Sequence, residues 1–158
     1  MGSNADVHLA HYLGLLHRAE VALAAAFREV GNGHSEEPDV VAICGKLAAE
    51  CDRHAEWLMP FAERYGEDAP DEPERLSSEL FRGVRGGGLG PLRDLHDLYL
   101  MGCECDMAWT LVGQAAQGAR DTQLAELVGR CEGETSTQLE WLTTRMKEAA
   151  PQALVVSR

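Results

Sequence analysis

Leu9, Leu13, Leu16, Glu20, Leu23, Phe27 and Val30 recur at four- and three-residue intervals. Side chains so spaced fall along one side of an α-helix, and such a stripe is stable in water only when another apolar surface covers it. A second stripe follows in Val40, Cys44, Leu47, Cys51, His54, Leu58, Phe61 and Tyr65. Two further long segments have the same helical character, and no stretch alternates as a half-buried strand does. Ala and Leu abound, aromatics are 6%, and β-branched residues are sparse. The expectation is an all-α four-helix bundle in one domain over residues 1–158, with helices at about 5–30, 36–65, 91–117 and 122–149.

Local signals set those boundaries. Ser3 or Asn4 can cap the first helix, and Gly31 and Gly33 sit just past its end. Ser35 is the expected cap of the second, with Pro38 in its first turn and Gly66 as its stop. Pro60 should kink that helix. Pro91 opens the third helix, Asp121 caps the fourth and Pro151 ends it, with 152–158 as a loose tail. The first and third links are short, which makes antiparallel neighbours. The middle link, 66–90, opens acidic and Pro-rich, has room for a short helix at 74–82, and closes on Gly86, Gly87 and Gly88. A helix of about 28 residues is about 42 Å long, and this link can reach that far. The expected topology is two antiparallel helix pairs joined by one long crossover.

Charge narrows the function. Asp and Glu number 26 against 14 Lys and Arg, a formal charge of −12. A surface this acidic repels phosphate backbones and anionic lipid, so neither nucleic acid nor a membrane surface is an expected partner. No apolar run reaches the ~20 residues of a membrane helix. The N-terminus has neither the basic nor the apolar region of a signal peptide. Five cysteines, an odd count outside any small disulfide framework, point to reduced thiols in a cytoplasmic protein. The absence of strands excludes a nucleotide-binding α/β fold.

Two polar residues interrupt the stripes, Glu20 and His54. A shift of 84 residues lays Glu50–Leu58 over Glu134–Leu142, with four of nine positions identical, including the Glu-Trp pairs at 56–57 and 140–141. The same shift lays Glu20 over Glu104, Leu16 over Leu100, Leu23 over Met107 and Phe27 over Leu111. The chain thus resembles the ferritin-like superfamily, whose carboxylate-bridged di-metal members carry one Glu on the first helix of each pair and Glu-x-x-His on the second. The resemblance implies Glu20 and Glu104 as the single carboxylates and His54 as the first imidazole. Where the family has the Glu before that His, this chain has Cys51; the second Glu-x-x-His has become Thr135 to Gln138. Glu50 and Glu134, one residue earlier, lie on the right face to substitute. The implied cofactor is iron or manganese, held by Glu20, His54, Glu104, Glu50 and Glu134 with Cys51 beside them, in a redox or metal-handling role.

Two other readings fit the same residues. In one, Glu20, His54, Glu104 and Gln138 form a hydrogen-bonded network in a metal-free scaffold that acts as a dimeric binding or structural protein. Helix one carries a wide apolar arc, and helices one and two are the expected homodimer face. Trp57 and Trp141 either seat the crossover or join that interface. In the other, Cys44, Cys51 and Cys131, with His54 and Met107, hold a soft metal, Cu(I) or Zn(II). Cys103 and Cys105 point in opposite directions and cannot share one ion. His8 and His11 lie one turn apart on the surface, His96 lies near the start of helix three, and His34 sits in a loop.

Overall fold

The structure is a computed structural model that describes residues 4–66 and 81–156, with side chains from residue 7 onward. Four long helices form there and no strand: α1 (Asn4–Gly33), α2 (Pro38–Gly66), α3 (Gly90–Gly118) and α4 (Thr122–Pro151), followed by a π-helical turn, Gln152–Val156. None of them is long and apolar enough to cross a membrane.

The helix ends refine the expected ones. α1 continues through the buried Gly31, where a Cβ would lie 3.2 Å from the Cβ of Cys44 on α2. Glycine there lets the two helices of the hairpin approach closely. Ser35 is exposed and does not cap α2. The link is held by backbone bonds from His34 to Val30 (3.1 Å) and from Glu37 to His34 (3.0 Å). α2 then starts at Pro38, whose missing N–H costs nothing in a first turn. It runs on through an exposed Pro60. Asp121 caps α4 as expected, accepting from the Leu124 amide at 3.0 Å. Arg120 before it adopts φ 56°, and the Asp121 amide reaches back to the Ala116 carbonyl at 2.8 Å. This is a Schellman-type end for α3, with arginine where glycine is usual. Pro151 does not stop the chain from coiling. It stands in the last turn of α4, and the coil beyond it widens to a π-turn, an adjustment that absorbs a missing N–H.

α1 packs against α2 and α3, and α4 packs against α3 and, more lightly, α2. His34 after α1 meets Asp94 in the first turns of α3. Leu9 and Tyr12 near the start of α1 share a groove with Leu111 and Ala115 near the end of α3. These two helices are therefore antiparallel. Arg64 and Tyr65 at the end of α2 bond Asp121 before α4, and Arg145 late in α4 bonds Glu37 and Asp39 at the start of α2. That pair is antiparallel too. α2 thus ends at one end of the bundle and α3 begins at the other. Most of the expected crossover, including the acidic Pro-rich stretch and nearly all of the expected short helix, falls on 67–80, outside the described residues. Phe81 and Arg82, the last of that expected helix that are described, are not helical.

The core shows which faces the helices bury. Every apolar member of the α1 stripe is buried, as are Val40 through Leu58 on the α2 stripe. Residues 84 positions further, Val128, Cys131, Thr135, Gln138 and Leu142, are the buried side of α4. For α3 the frame slips by one residue. Leu100, Met107 and Leu111 are exposed, Met107 by 58%. The buried counterparts of Leu13, Glu20, Leu23 and Phe27 are Leu98, Cys105, Ala108 and Val112. One residue turns a helix by about 100°, so Cys105, not Glu104, faces inward opposite Glu20.

Candidate functional site

Glu20, at the middle of α1, bonds residues of two other helices, and a third is reached through one of them. Its Oε1 accepts from the Trp109 indole of α3 at 2.8 Å and lies 3.2 Å from Nδ1 of His54 on α2. The other ring nitrogen, Nε2, lies 3.1 Å from Oε2 of Glu134 on α4. Glu20 and His54 are fully buried, whereas the Glu134 side chain keeps 27% of its surface in water. The result is one imidazole between two carboxylates, a path of hydrogen bonds from the core to the edge of the bundle. Carboxylates only accept, so a ring that donates to both carries both protons and a positive charge.

Burial works against that charge, but hydrogen bonding to Cys131 and Glu20 outweighs it, and the His54 pKa is pushed up to about 10. Burial also holds the Cys131 thiol above its usual pKa. The negative charge that steadies the ring therefore comes from Glu20. Cys51 and Cys105, packed nearby, are driven well above the ordinary thiol range, first by burial and then by the charge of Glu20. Protonated, enclosed thiols are poor nucleophiles. The Cys51 Sγ points to Gln138 Oε1 at 3.8 Å. Trp109 closes the other side, edge-on to His54 with ring centroids 5.9 Å apart, and Trp57 lies 6.1 Å from the same ring beneath the guanidinium of Arg130.

The expected ligands divide. Glu20, His54 and Glu134 come together, with Cys51 beside them. Glu50 is buried, with its Oε2 unbonded among the described residues, as is the Gln138 amide nitrogen. Glu104 is half-buried, its carboxyl raised above the usual range by burial, and no described hydrogen bond joins it to the centre. Met107 points outward and Cys44 lies against Gly31, so neither joins Cys51 and Cys131 at the centre.

A carboxylate-bridged pair of divalent ions is held by four carboxylates and two imidazoles. The residue at the position expected for the second imidazole is Gln138, and the hydroxyl of Thr135 is spent on the Cys131 carbonyl at 2.7 Å. The described residues do not assemble that set. Because the His54 ring stands between Glu20 and Glu134, these three donors do not converge on one point. Among the described residues no group of three or more His, Cys, Asp and Glu side chains is arranged to hold a metal ion.

A second polar cluster at the bundle end escapes sequence reasoning. Asp94, fully buried, accepts from the Arg85 amide at 3.0 Å and from Arg85 Nη1 at 2.9 Å, and lies 2.8 Å from His34 Nε2. Arg85 Nη1 also lies 2.8 Å from Asp97. The available signal was a pair of aspartates, 94 and 97, on the same helix side as Leu98.

Compared with family models, curated proteins and solved structures, the chain matches none.

Proposed function

We propose that this chain is a ferritin-like bundle whose centre holds a protonated imidazole where that superfamily holds metal, and that it serves as a metal-independent scaffold or binding protein. The observation that carries this reading is the engagement of both nitrogens of His54 by carboxylates. A ring so bound has no lone pair for an ion, and its charge already answers the buried charge of Glu20. The antiparallel pairings of α1 with α3 and α2 with α4 support the ferritin-like connectivity, because α2 ends at one end of the bundle and α3 begins at the other. Five free cysteines accord with a cytoplasmic setting. Self-association is part of the proposal, because Leu100, Met107 and Leu111 form an outward apolar row on α3.

One observation favours a second reading. Glu20 bonds Nδ1 of His54 as a carboxylate behind a metal-bound histidine bonds the ring nitrogen that faces away from the ion. A single iron or manganese ion would then replace the Nε2 proton and take Glu134 as its carboxylate. A copper or zinc site on Cys51 and Cys131 is the third reading; it requires two thiols that burial holds protonated to ionise.

Elemental mass spectrometry on protein purified without chelator or affinity tag, then titrated anaerobically with Fe(II), Mn(II), Zn(II) and Cu(I), separates the three. The proposal expects no stoichiometric metal. Iron or manganese lost in Glu20→Gln or His54→Ala would replace it with the second reading, and copper or zinc lost in Cys51→Ser with the third. Light scattering on the same sample gives the oligomeric state, with a dimer expected.

A further inference from the structure

A half-enclosed cleft of about 210 Å³ opens where α1 ends and α4 gives way to the π-turn. Val40, Leu92 and Leu95 make its apolar wall, and His34, Arg145 and Glu148 bring polar groups to it. A dry cavity of about 150 Å³ already admits a benzene ring, so this cleft has room for a ring or short alkyl chain with a polar head.

The polar groups select the head. Nε2 of His34 faces a carboxylate that cannot donate, so Nε2 carries the proton, and in the neutral ring Nδ1 is an acceptor. His34 is only 4% exposed, and among the described residues nothing bonds its Nδ1. Asp94, locked by Arg85, prevents the ring from turning to satisfy that nitrogen elsewhere. Arg145 is committed to Glu37 and Asp39 at 2.9 and 2.7 Å. Of the charged groups that line the cleft, Glu37 and Glu148 stand against Arg145; Glu37 is paired with Arg145, so Glu148 is the carboxylate left to meet a ligand, and the whole chain is strongly acidic. An anion entering here meets repulsion, whereas a cation is drawn in.

We propose that this cleft binds a small organic amine as its ammonium ion, the apolar body against Leu92 and Leu95, one N–H on Nδ1 of His34 and the charge facing Glu148. The site is independent of the central Glu20–His54–Glu134 cluster, which lies far along the helices from it.

Benzylammonium, benzyl alcohol and benzoate share one ring and differ in head-group charge. Each is titrated to millimolar concentration into isotope-labelled protein and followed by amide chemical shifts. Benzylammonium should bind best and move the resonances of His34, Ala149 and Ala153. Glu148→Gln, an exposed change, should weaken it about three- to tenfold, the worth of one partly screened charge contact. Ala149→Leu, which fills the cleft from its rim, should abolish binding while leaving the thermal melt in place. Equal or tighter binding of benzoate or benzyl alcohol, shifts confined to another region, no shift with benzylammonium, or unchanged affinity in Glu148→Gln would each overturn the assignment.

Discussion

The ring of His54 stands edge-on to the indole of Trp109, their planes at 87°, and both reach the same oxygen of Glu20. Aromatic packing and charge are thus joined in one constellation: the indole fills the space beside the imidazole while its N–H helps to satisfy the carboxylate. Oε2 of Glu20 has no bond among the described residues, so the anion depends on Oε1 and its two donors.

Removing one side of this arrangement should cost more than removing all of it. Glu20→Ala leaves a buried imidazolium short of its inner partner, and the expected loss is about 3–5 kcal/mol, the usual effect of breaking a buried pair. A triple replacement of Glu20, His54 and Glu134 by leucine or methionine should recover most of that. Urea unfolding of both variants checks the comparison; equal losses would contradict a proton-bridged centre.

The stability of the wild type should fall as the solution becomes alkaline. The folded pKa of His54, about 10, lies above the 6.5 of a free ring, so the charged form is favoured by folding. Its contribution is complete below pH 6.5 and is lost progressively up to about pH 10. At about 1.4 kcal/mol per pH unit, the loss amounts to several kcal/mol. Urea midpoints from pH 6 to 8 should show this slope in wild type and not in His54→Gln; at higher pH the buried thiols, also held above their ordinary range, add a fall of their own in both. An NMR titration of the His54 ring with a midpoint near 6.5 would refute it.

Glycine substitutions should sort by what a Cβ would meet. At Gly113 it would lie 2.9 Å from Val128 Cγ1, and at Gly102 2.8 Å from Leu139 Cδ2. At Gly113 the obstacle is the stiff, buried Val128, so alanine should force α3 from α4 and cost about 1–3 kcal/mol, whereas at Gly102 it is the far end of the flexible Leu139 side chain, which can swing aside, so alanine there should cost less than about 1 kcal/mol. At Gly45, mid-helix in α2, nothing lies within 4 Å, so alanine should stabilise by about 0.5–1 kcal/mol. The converse holds at Arg120, whose positive φ makes Arg120→Gly stabilising by about 1 kcal/mol. Thermal melts of the four variants test the order.

Asp94→Asn should loosen residues 81–89 without melting the bundle. It swaps a carboxylate that takes two bonds from Arg85 and one from His34 for a neutral amide, half of which donates. Faster amide exchange at Gly83–Arg85, with α1 and α2 unchanged, is the expected signature; unchanged exchange there would show that other contacts, such as Val84 against Gly33, hold the segment.

The unequal legibility of these features has physical causes. The stripe of α1 was readable because polar residues occupy its other faces, so periodicity singles out Leu9 to Val30. On α3 apolar residues stand on every side. Leu100, Met107 and Leu111 are as hydrophobic as Leu98 and Val112, and the inward face carries Gly102, Cys105, Gly113 and two aspartates, which no hydropathy count marks as core. Hence Glu104 looked like the partner of Glu20 when Cys105 stands there. His54 and Glu20 were legible as polar intrusions on buried stripes. Glu134 is legible only as one of two flanking carboxylates, because only the packing of α4 against α2 brings it to the ring. Trp109 and the His34–Asp94–Arg85 contact depend on segments brought together only by the tertiary fold.

The opposed ends of α2 and α3 also impose an order on folding. Within each hairpin, α1 with α2 and α3 with α4, the partners are joined by a few residues, and closing so short a loop costs little chain entropy. Two bonds that unite the hairpins at the centre, Glu20 to Trp109 and His54 to Glu134, span 89 and 80 residues. Local pairings form early and distant ones late. The charged centre can be completed only in the docking step, so the two hairpins recognise one another by assembling it.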